Sequence, residues 1–214
     1  RYFPQWGEAT FDAGLDDVVE APELAPHRDA FKLMFAGNLG DAQDFPALLD
    51  AAEATRERAD LHWLIVGDGR QAEWIREQIV ARGLQRTVFM LGRHPLERMP
   101  EFFKGADALI VSLRAEPIFA MTIPGKVSAY LSAGRPILAM IDGEGAQVVR
   151  EAGAGMVAPA GDGAELARLA LQMAALPPEA RADMAAKARA YGQQQFDRAS
   201  LISQLEAMLA EAQR

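Results

Sequence analysis

The chain has 214 residues, half of them apolar and 24% charged, enough for one domain with a sizeable core and too hydrophobic for wholesale disorder. Its 22 basic against 30 acidic residues give a formal charge of −8 with no basic block, which argues against nucleic acid as a partner. There is no cysteine, so disulfides, thiol nucleophiles and thiolate metal sites are excluded, and no apolar run approaches the ~20 residues that span a bilayer.

The sequence opens on Arg1 with no signal-peptide pattern, and is expected to be a piece of a longer protein. Residues 1–30 lack a period and carry Pro4, Pro22 and Pro26. They read as an irregular linker whose Tyr2, Phe3, Trp6 and Phe11 pack on something. From residue 31 strands and helices alternate. The first strand, 31–36, ends in Gly37, and Asp44 is placed to cap a helix running to about residue 58. The second strand, 61–66, ends in Gly67 and precedes a helix over 73–82 closed by Gly83. The third, 87–91, ends in Gly92, and a short helix near 100–104 leads to the fourth, 108–111. A loop over 112–125 feeds a helix over 126–133, and a fifth strand spans 136–141. A helix over 146–152 and a sixth strand, 156–158, complete the alternation. After Asp162, a plausible cap, the chain is Ala-rich and helical to the end, with breaks expected at Pro177–Pro178 and Gly192. Strands apolar on both faces, alternating with helices, predict an α/β fold with a doubly wound, Rossmann-like parallel sheet of six strands.

Ligands in such sheets bind beyond the carboxyl ends of the strands. Those ends carry Gly37-Asn38-Leu39-Gly40, Gly67-Asp68-Gly69, Gly92-Arg93-His94 and the loop into Ile123-Pro124-Gly125-Lys126. Glycines there either make tight turns or let a phosphate reach backbone amides. The run 67–72 matches G-x-G-x-x-A after a strand, the dinucleotide fingerprint, but on the second strand and without a downstream ribose acid. Lys126 opens a helix, where a cation is mildly unfavourable unless an anion offsets it. The surrounding residues are not a Walker A loop, because Val127 stands where Ser or Thr must bind magnesium. His94, held extended before Pro95, either faces a base or is solvated, and Glu116 is read as facing water. Trp63 and Trp74 read as packing. Asp107, Asp142 and Glu144 form no convincing metal cluster, and no H-E-x-x-H, G-x-S-x-G or Ser-His-Asp arrangement is legible.

In this order and spacing several segments resemble the carboxy-terminal half of a GT-B glycosyltransferase of the retaining family 4 (group 1), from about residue 31 onward. They are Phe35-Ala36-Gly37-Asn38-Leu39-Gly40, Leu64-Ile65-Val66-Gly67-Asp68-Gly69, Val88-Phe89-Met90-Leu91-Gly92, and Pro124-Gly125-Lys126 through Tyr130-Leu131-Ser132-Ala133-Gly134-Arg135-Pro136. The form with a lysine ahead of the Tyr-Leu-x-Ala-Gly-x-Pro helix is most similar to bacterial transferases of amino sugars in surface polysaccharide assembly.

The resemblance implies a sheet order 3-2-1-4-5-6, with residues 31–214 as the nucleotide-sugar-binding domain and 1–30 as the interdomain linker. It implies a diphosphate held by Gly37, Asn38, Leu39 and Gly40 and by Ile123, Gly125 and Lys126. Gly67 lies beside them, and Gly92, Arg93 and His94 face the base. Lys126 takes the catalytic role, stabilising the departing diphosphate. No cofactor and no metal are implied. The partners implied are a nucleotide diphosphate sugar, UDP-linked as the leading choice, and an amino-terminal acceptor half absent from this chain. The chain is expected to be monomeric, inactive alone and cytoplasmic, with any contact to the inner face of a membrane made by the absent half. Departures are visible. Asn38 and Gln43 stand where the family often has phosphate-binding cations, and its Glu-x7-Glu acids fall on Met121 and Ala129. A nucleotide-sugar epimerase of the same architecture, a non-catalytic nucleotide-binding module and a nicotinamide dehydrogenase stay as alternatives.

Overall fold

Each short apolar run becomes a strand of one parallel sheet. In a computed structural model, which describes residues 9–11 and 14–212, the strands are β1 (Phe31–Ala36), β2 (Leu61–Val66), β3 (Val88–Gly92), β4 (Ala108–Ser112), β5 (Ile137–Met140) and β6 (Gly155–Ala158). Their spatial order is 3-2-1-4-5-6 and every neighbouring pair is parallel. The order reverses between β1 and β4, which makes the crevice above those two strands the switch point of the sheet.

Alternate residues of each strand feed two apolar layers. Leu33, Phe35, Trp63, Ile65, Ile110 and Leu138 face α1 (Phe45–Ala54), α2 (Ala72–Ala81) and α7 (Gly163–Ala175). Met34, Leu64, Leu109, Val111 and Ala139 face the other layer, built by α3 (Met99–Gly105), α5 (Gly125–Ala133), α6 (Gly143–Glu151) and α8 (Pro178–Phe196). Among the described residues no helix is long and apolar enough to cross a membrane.

Several boundaries differ from expectation, each for a local reason. Helix α1 stops at Ala54 rather than near residue 58. Thr55 turns its hydroxyl back onto the carbonyls of Ala51 and Ala52, and the same oxygen accepts the indole N–H of Trp63 at 3.1 Å. Asp44 occupies the N-cap position, yet its φ is +49° and its carboxylate caps nothing. Asp162 does cap, accepting the amide of Glu165 at 2.9 Å. The loop over 112–125 contains a helical turn, α4 (Pro117–Ala120). Helix α6 opens three residues early, at Gly143, which must be glycine because a Cβ there would lie 1.8 Å from the Ala120 carbonyl oxygen. Gly192 does not break α8. It lets that helix press against α5, where a Cβ would come within 2.8 Å of the Leu131 carbonyl carbon. The break falls instead at Asp197, whose carboxylate accepts the Ser200 amide at the start of α9 (Arg198–Ala212).

The linker is more ordered than its prolines suggested. Two 3-10 turns, Ala9–Phe11 and Pro22–His27, lie in it, and Phe11, Leu15, Ala21 and Leu24 join the α3–α5 layer. Phe11 stacks on Phe103 at 5.0 Å. Tyr2, Phe3 and Trp6 lie outside the described residues. Trp63 is fully buried and Trp74 is packed at the edge of the α1–α2 layer.

Replacing Thr55 by Val keeps the volume but leaves the Trp63 indole N–H buried without an acceptor. We expect a loss of about 1–3 kcal/mol. It should appear in urea unfolding as a lower midpoint with an unchanged slope.

Candidate functional site

The strand ends converge as the sheet topology requires. Gly37, Asn38, Gly67, Arg93 and His94, all expected at the site, line one cleft of about 450 Å³. Val66, Asp68, Gly69 and Met99 complete its wall. Asp68 and Gly69 were legible as the turn after β2. Met99 had no sequence signal, because it reaches the cleft from the first residue of α3.

The two glycine loops serve each other before they serve any ligand. The Gly37 amide donates to Val66 O at 2.8 Å, Leu39 N to Asp68 O at 2.9 Å and Gln71 N to Leu39 O at 2.9 Å. A Cβ on Gly67 would lie 1.9 Å from the Gly37 carbonyl oxygen, and one on Gly69 would lie 2.5 Å from that of Leu39. Both glycines have positive φ, +146° and +158°. The fingerprint-like run 67–72 is thus explained by close packing of two loops.

Three expected binding residues are committed elsewhere. Leu39 is fully buried in the α1–α2 layer, and its amide and carbonyl are both bonded to the neighbouring loop. The Gly40 amide donates to the Gln43 side chain at 3.0 Å. Ile123 packs on the α5 layer and lines a separate cleft with Met121, Val148, Tyr191 and Phe196. Met121 is exposed there and Ala129 packs on the core, so neither supplies an acid. Gly92 turns the chain with φ +77° in open space, immediately before Arg93.

Lys126 is brought to Gly37 across 89 positions of sequence. Its Cε and Nζ lie 2.9 Å from where a Gly37 Cβ would stand, so a side chain at 37 would push the end of the lysine aside, and the φ of +135° there favours glycine in any case. The ammonium sits 4.6 Å above the Phe35 ring. Burial pushes its pKa down to about 8, and among the described residues no carboxylate pairs with it. It is the second residue of α5, whose first amides at Gly125 and Lys126 have no acceptor within the helix. A buried cation and a helix N-terminus beside a glycine loop make a site for an anion. Tyr130, four residues on, braces the same place: its hydroxyl donates to Ala36 O at 3.2 Å and accepts the Ala36 amide at 3.3 Å.

At the far end of the cleft, His94 is held on both nitrogens. Nε2 meets Leu91 O at 2.9 Å and Nδ1 meets Arg98 Nη1 at 3.1 Å, while the ring packs on Phe102 at 4.6 Å. It presents a ring wall rather than a free donor. Arg93 is exposed beside it.

This geometry agrees with the relationship found by sequence. The family model described as glycosyl transferases group 1 matches residues 30–175. The chain belongs to that family. Among solved structures it is similar to HepE of Anabaena in complex with UDP and glucose, at 20% identity and TM-score 0.73, covering 92% of this chain and 54% of that one. It is also similar to the pneumococcal O-GlcNAc transferase GtfA in complex with UDP and GlcNAc, at 16% identity and TM-score 0.66, covering 91% and 38%. A third is WaaG, a glycosyltransferase involved in lipopolysaccharide biosynthesis, at 16% identity and TM-score 0.69, covering 91% and 52%. The chain thus spans about half the length, or less, of these structures, and the likeness establishes the GT-B half as its fold. No curated protein matches the sequence.

Proposed function

We propose that this group 1 glycosyltransferase chain is the donor-binding half of a retaining transferase acting on a nucleotide diphosphate sugar. The observation that carries the reading is the buried Lys126 ammonium, which has no carboxylate partner among the described residues and lies against Gly37 at the N-terminus of α5. In the proposed step the bond from the anomeric carbon to the diphosphate oxygen breaks, and its electron pair goes to the leaving group. Lys126 and the Gly125 and Lys126 amides meet that charge, and an acceptor hydroxyl bonds to the same face of the sugar while its proton passes to the departing diphosphate oxygen. Preorganised donors of this kind supply the electrostatic part of catalysis, and the reading assigns no metal to it. The acceptor and any acid–base group belong to the rest of the protein.

UDP is the favoured nucleotide, because HepE and GtfA were solved with it. The reading extends to an amino sugar and to bacterial surface polysaccharide assembly, in line with the GlcNAc complex of GtfA and the lipopolysaccharide role of WaaG. The test is ligand-observed NMR on the 214-residue chain with UDP, GDP, ADP and NADP. Saturation transfer to UDP is expected. Transfer to NADP alone overturns the reading in favour of a dehydrogenase, and silence from all four removes this chain from donor binding. A nucleotide-binding module without catalysis is the second reading, favoured by the absence of acids at Met121 and Ala129.

A further inference from the structure

One side chain joins the wall of the cleft to the linker. Arg98 precedes α3, and all five of its N–H groups find acceptors. Nη1 and Nη2 grip the Glu23 carboxylate at 2.7 and 2.9 Å, Nε and Nη2 reach Glu101 at 3.0 and 2.9 Å, and the remaining Nη1 hydrogen points to His94 Nδ1 at 3.1 Å. An arginine only donates. His94 Nδ1 must therefore accept, which places the ring proton on Nε2, where it is given to Leu91 O. Tautomer and ring plane of a cleft residue are thus set by a guanidinium outside the cleft, and Met99, the residue after Arg98, is itself a cleft wall.

The other end of the network lies on the segment before β1. Glu23 sits in the first turn of Pro22–His27, and the neighbouring Ala21 amide donates to the Glu101 carbonyl at 3.2 Å. The paired grip of Arg98 pulls the Glu23 carboxyl down to about 2, so the pair stays charged through the neutral range. Its side chain is about 30% exposed, so it can be altered without opening the core.

We propose that Arg98 is a positioning residue for the nucleotide: through His94 and Met99 it sets the far wall of the cleft, and through Glu23 it couples occupancy of the cleft to the seating of residues 21–27. The inference rests on the nucleotide reading of the cleft. Coupling is reciprocal. A ligand that prefers the ordered wall steadies the linker turn, and loosening that turn weakens the ligand.

The experiment uses the whole 214-residue chain as wild type, Glu23→Gln and Arg98→Gln, with UDP as the probe. Glu23→Gln removes a partly exposed charge with little change of shape, so it serves if Arg98→Gln fails to fold. Nitrogen-15 shifts of the His94 ring report which nitrogen carries the proton, and calorimetry reports affinity. In wild type the proton is expected on Nε2, and UDP slows amide exchange at 21–27. In both variants the tautomer preference relaxes, UDP binding weakens about fivefold, a typical coupling, and the protection of 21–27 disappears. A purely structural role would lower stability without moving the tautomer or the UDP-dependent protection. Unchanged affinity in both variants, or weaker binding with an unchanged tautomer, overturns the proposal. If wild type binds no UDP, the nucleotide reading fails by itself. The tautomer comparison then still decides whether Arg98 positions His94, and an unmoved tautomer overturns that as well.

Discussion

Lys126→Met is expected to move stability and affinity in opposite directions. The methionine keeps the stem over Phe35 and removes the charge. In the free chain the buried ammonium has no anionic partner among the described residues, and the Phe35 ring beneath it offsets part of its desolvation. Removing it should stabilise the fold by on the order of 1 kcal/mol, raising Tm by roughly 2–4 °C for a chain of this size. UDP affinity should fall about 10- to 100-fold, the range for losing a charge-assisted contact with a phosphate. Differential scanning fluorimetry and calorimetry on the same preparations check both. A variant that loses stability and keeps its affinity would show that the lysine packs rather than binds.

The pH dependence has a determined sign. Lys126 titrates near 8 when folded and near 10.5 when exposed. Between those values the unfolded chain binds the extra proton, so stability rises with pH across that window. The burial penalty is felt in full below pH 8. An anion prefers the protonated lysine, so affinity should drop as pH passes 8. The protonated fraction falls about tenfold between pH 7 and 9. In Lys126→Met this part of the slope should vanish.

The larger loss of stability is expected from Gly67→Ala. Its Cβ would stand 1.9 Å from the Gly37 carbonyl oxygen, and backbone has no rotamer with which to move aside. The φ of +146° adds strain for any side chain. Relief requires parting the loops, which breaks the bonds from Gly37 N to Val66 O and from Leu39 N to Asp68 O. We expect a cost above about 3 kcal/mol, from strain and clash together. Nucleotide binding should be lost with it, because Gly37 also shelters Lys126. Gly83→Ala is the control. It has a positive φ of +67° and open space around it, so it should cost only about 1 kcal/mol. Chemical denaturation of the two variants separates dihedral strain from collision. Equal midpoints would mean that loop-to-loop packing does not govern this end of the sheet.

The elements were legible where the chain obeys local rules. Apolar runs closed by glycine became strands because burial on both faces demands them, and Asp162 capped as its position suggested. Helix ends were misjudged where a distant residue intervened. Thr55 ends α1 because Trp63 needs its oxygen. Gly192 is needed inside α8 where Leu131 approaches it, and Gly143 is needed at the start of α6 where Ala120 leaves no room for a side chain.

The site divides in the same way. The residues that turn the backbone, Gly37, Gly67 and Gly92, and the lysine at a helix start could be read from residue type and position alone, since φ and helix polarity are local properties. The order of the family's segments carried the expected sheet order. Which side chains remain available is not local. Leu39 is taken by the core, the Gly40 amide by Gln43, Ile123 by a second cleft and both His94 nitrogens by the chain itself. The partnering of Lys126 with Gly37, and of Arg98 with Glu23 and His94, depends on contacts across 89, 75 and 4 positions. The sequence alone determined an α/β sheet with glycine turns at its ligand-bearing edge. Only the packing of loop on loop and α3 on the linker decided that Lys126 lies buried beside Gly37 and that Arg98 is held by Glu23 and His94, because pairing depends on distances that no local pattern encodes.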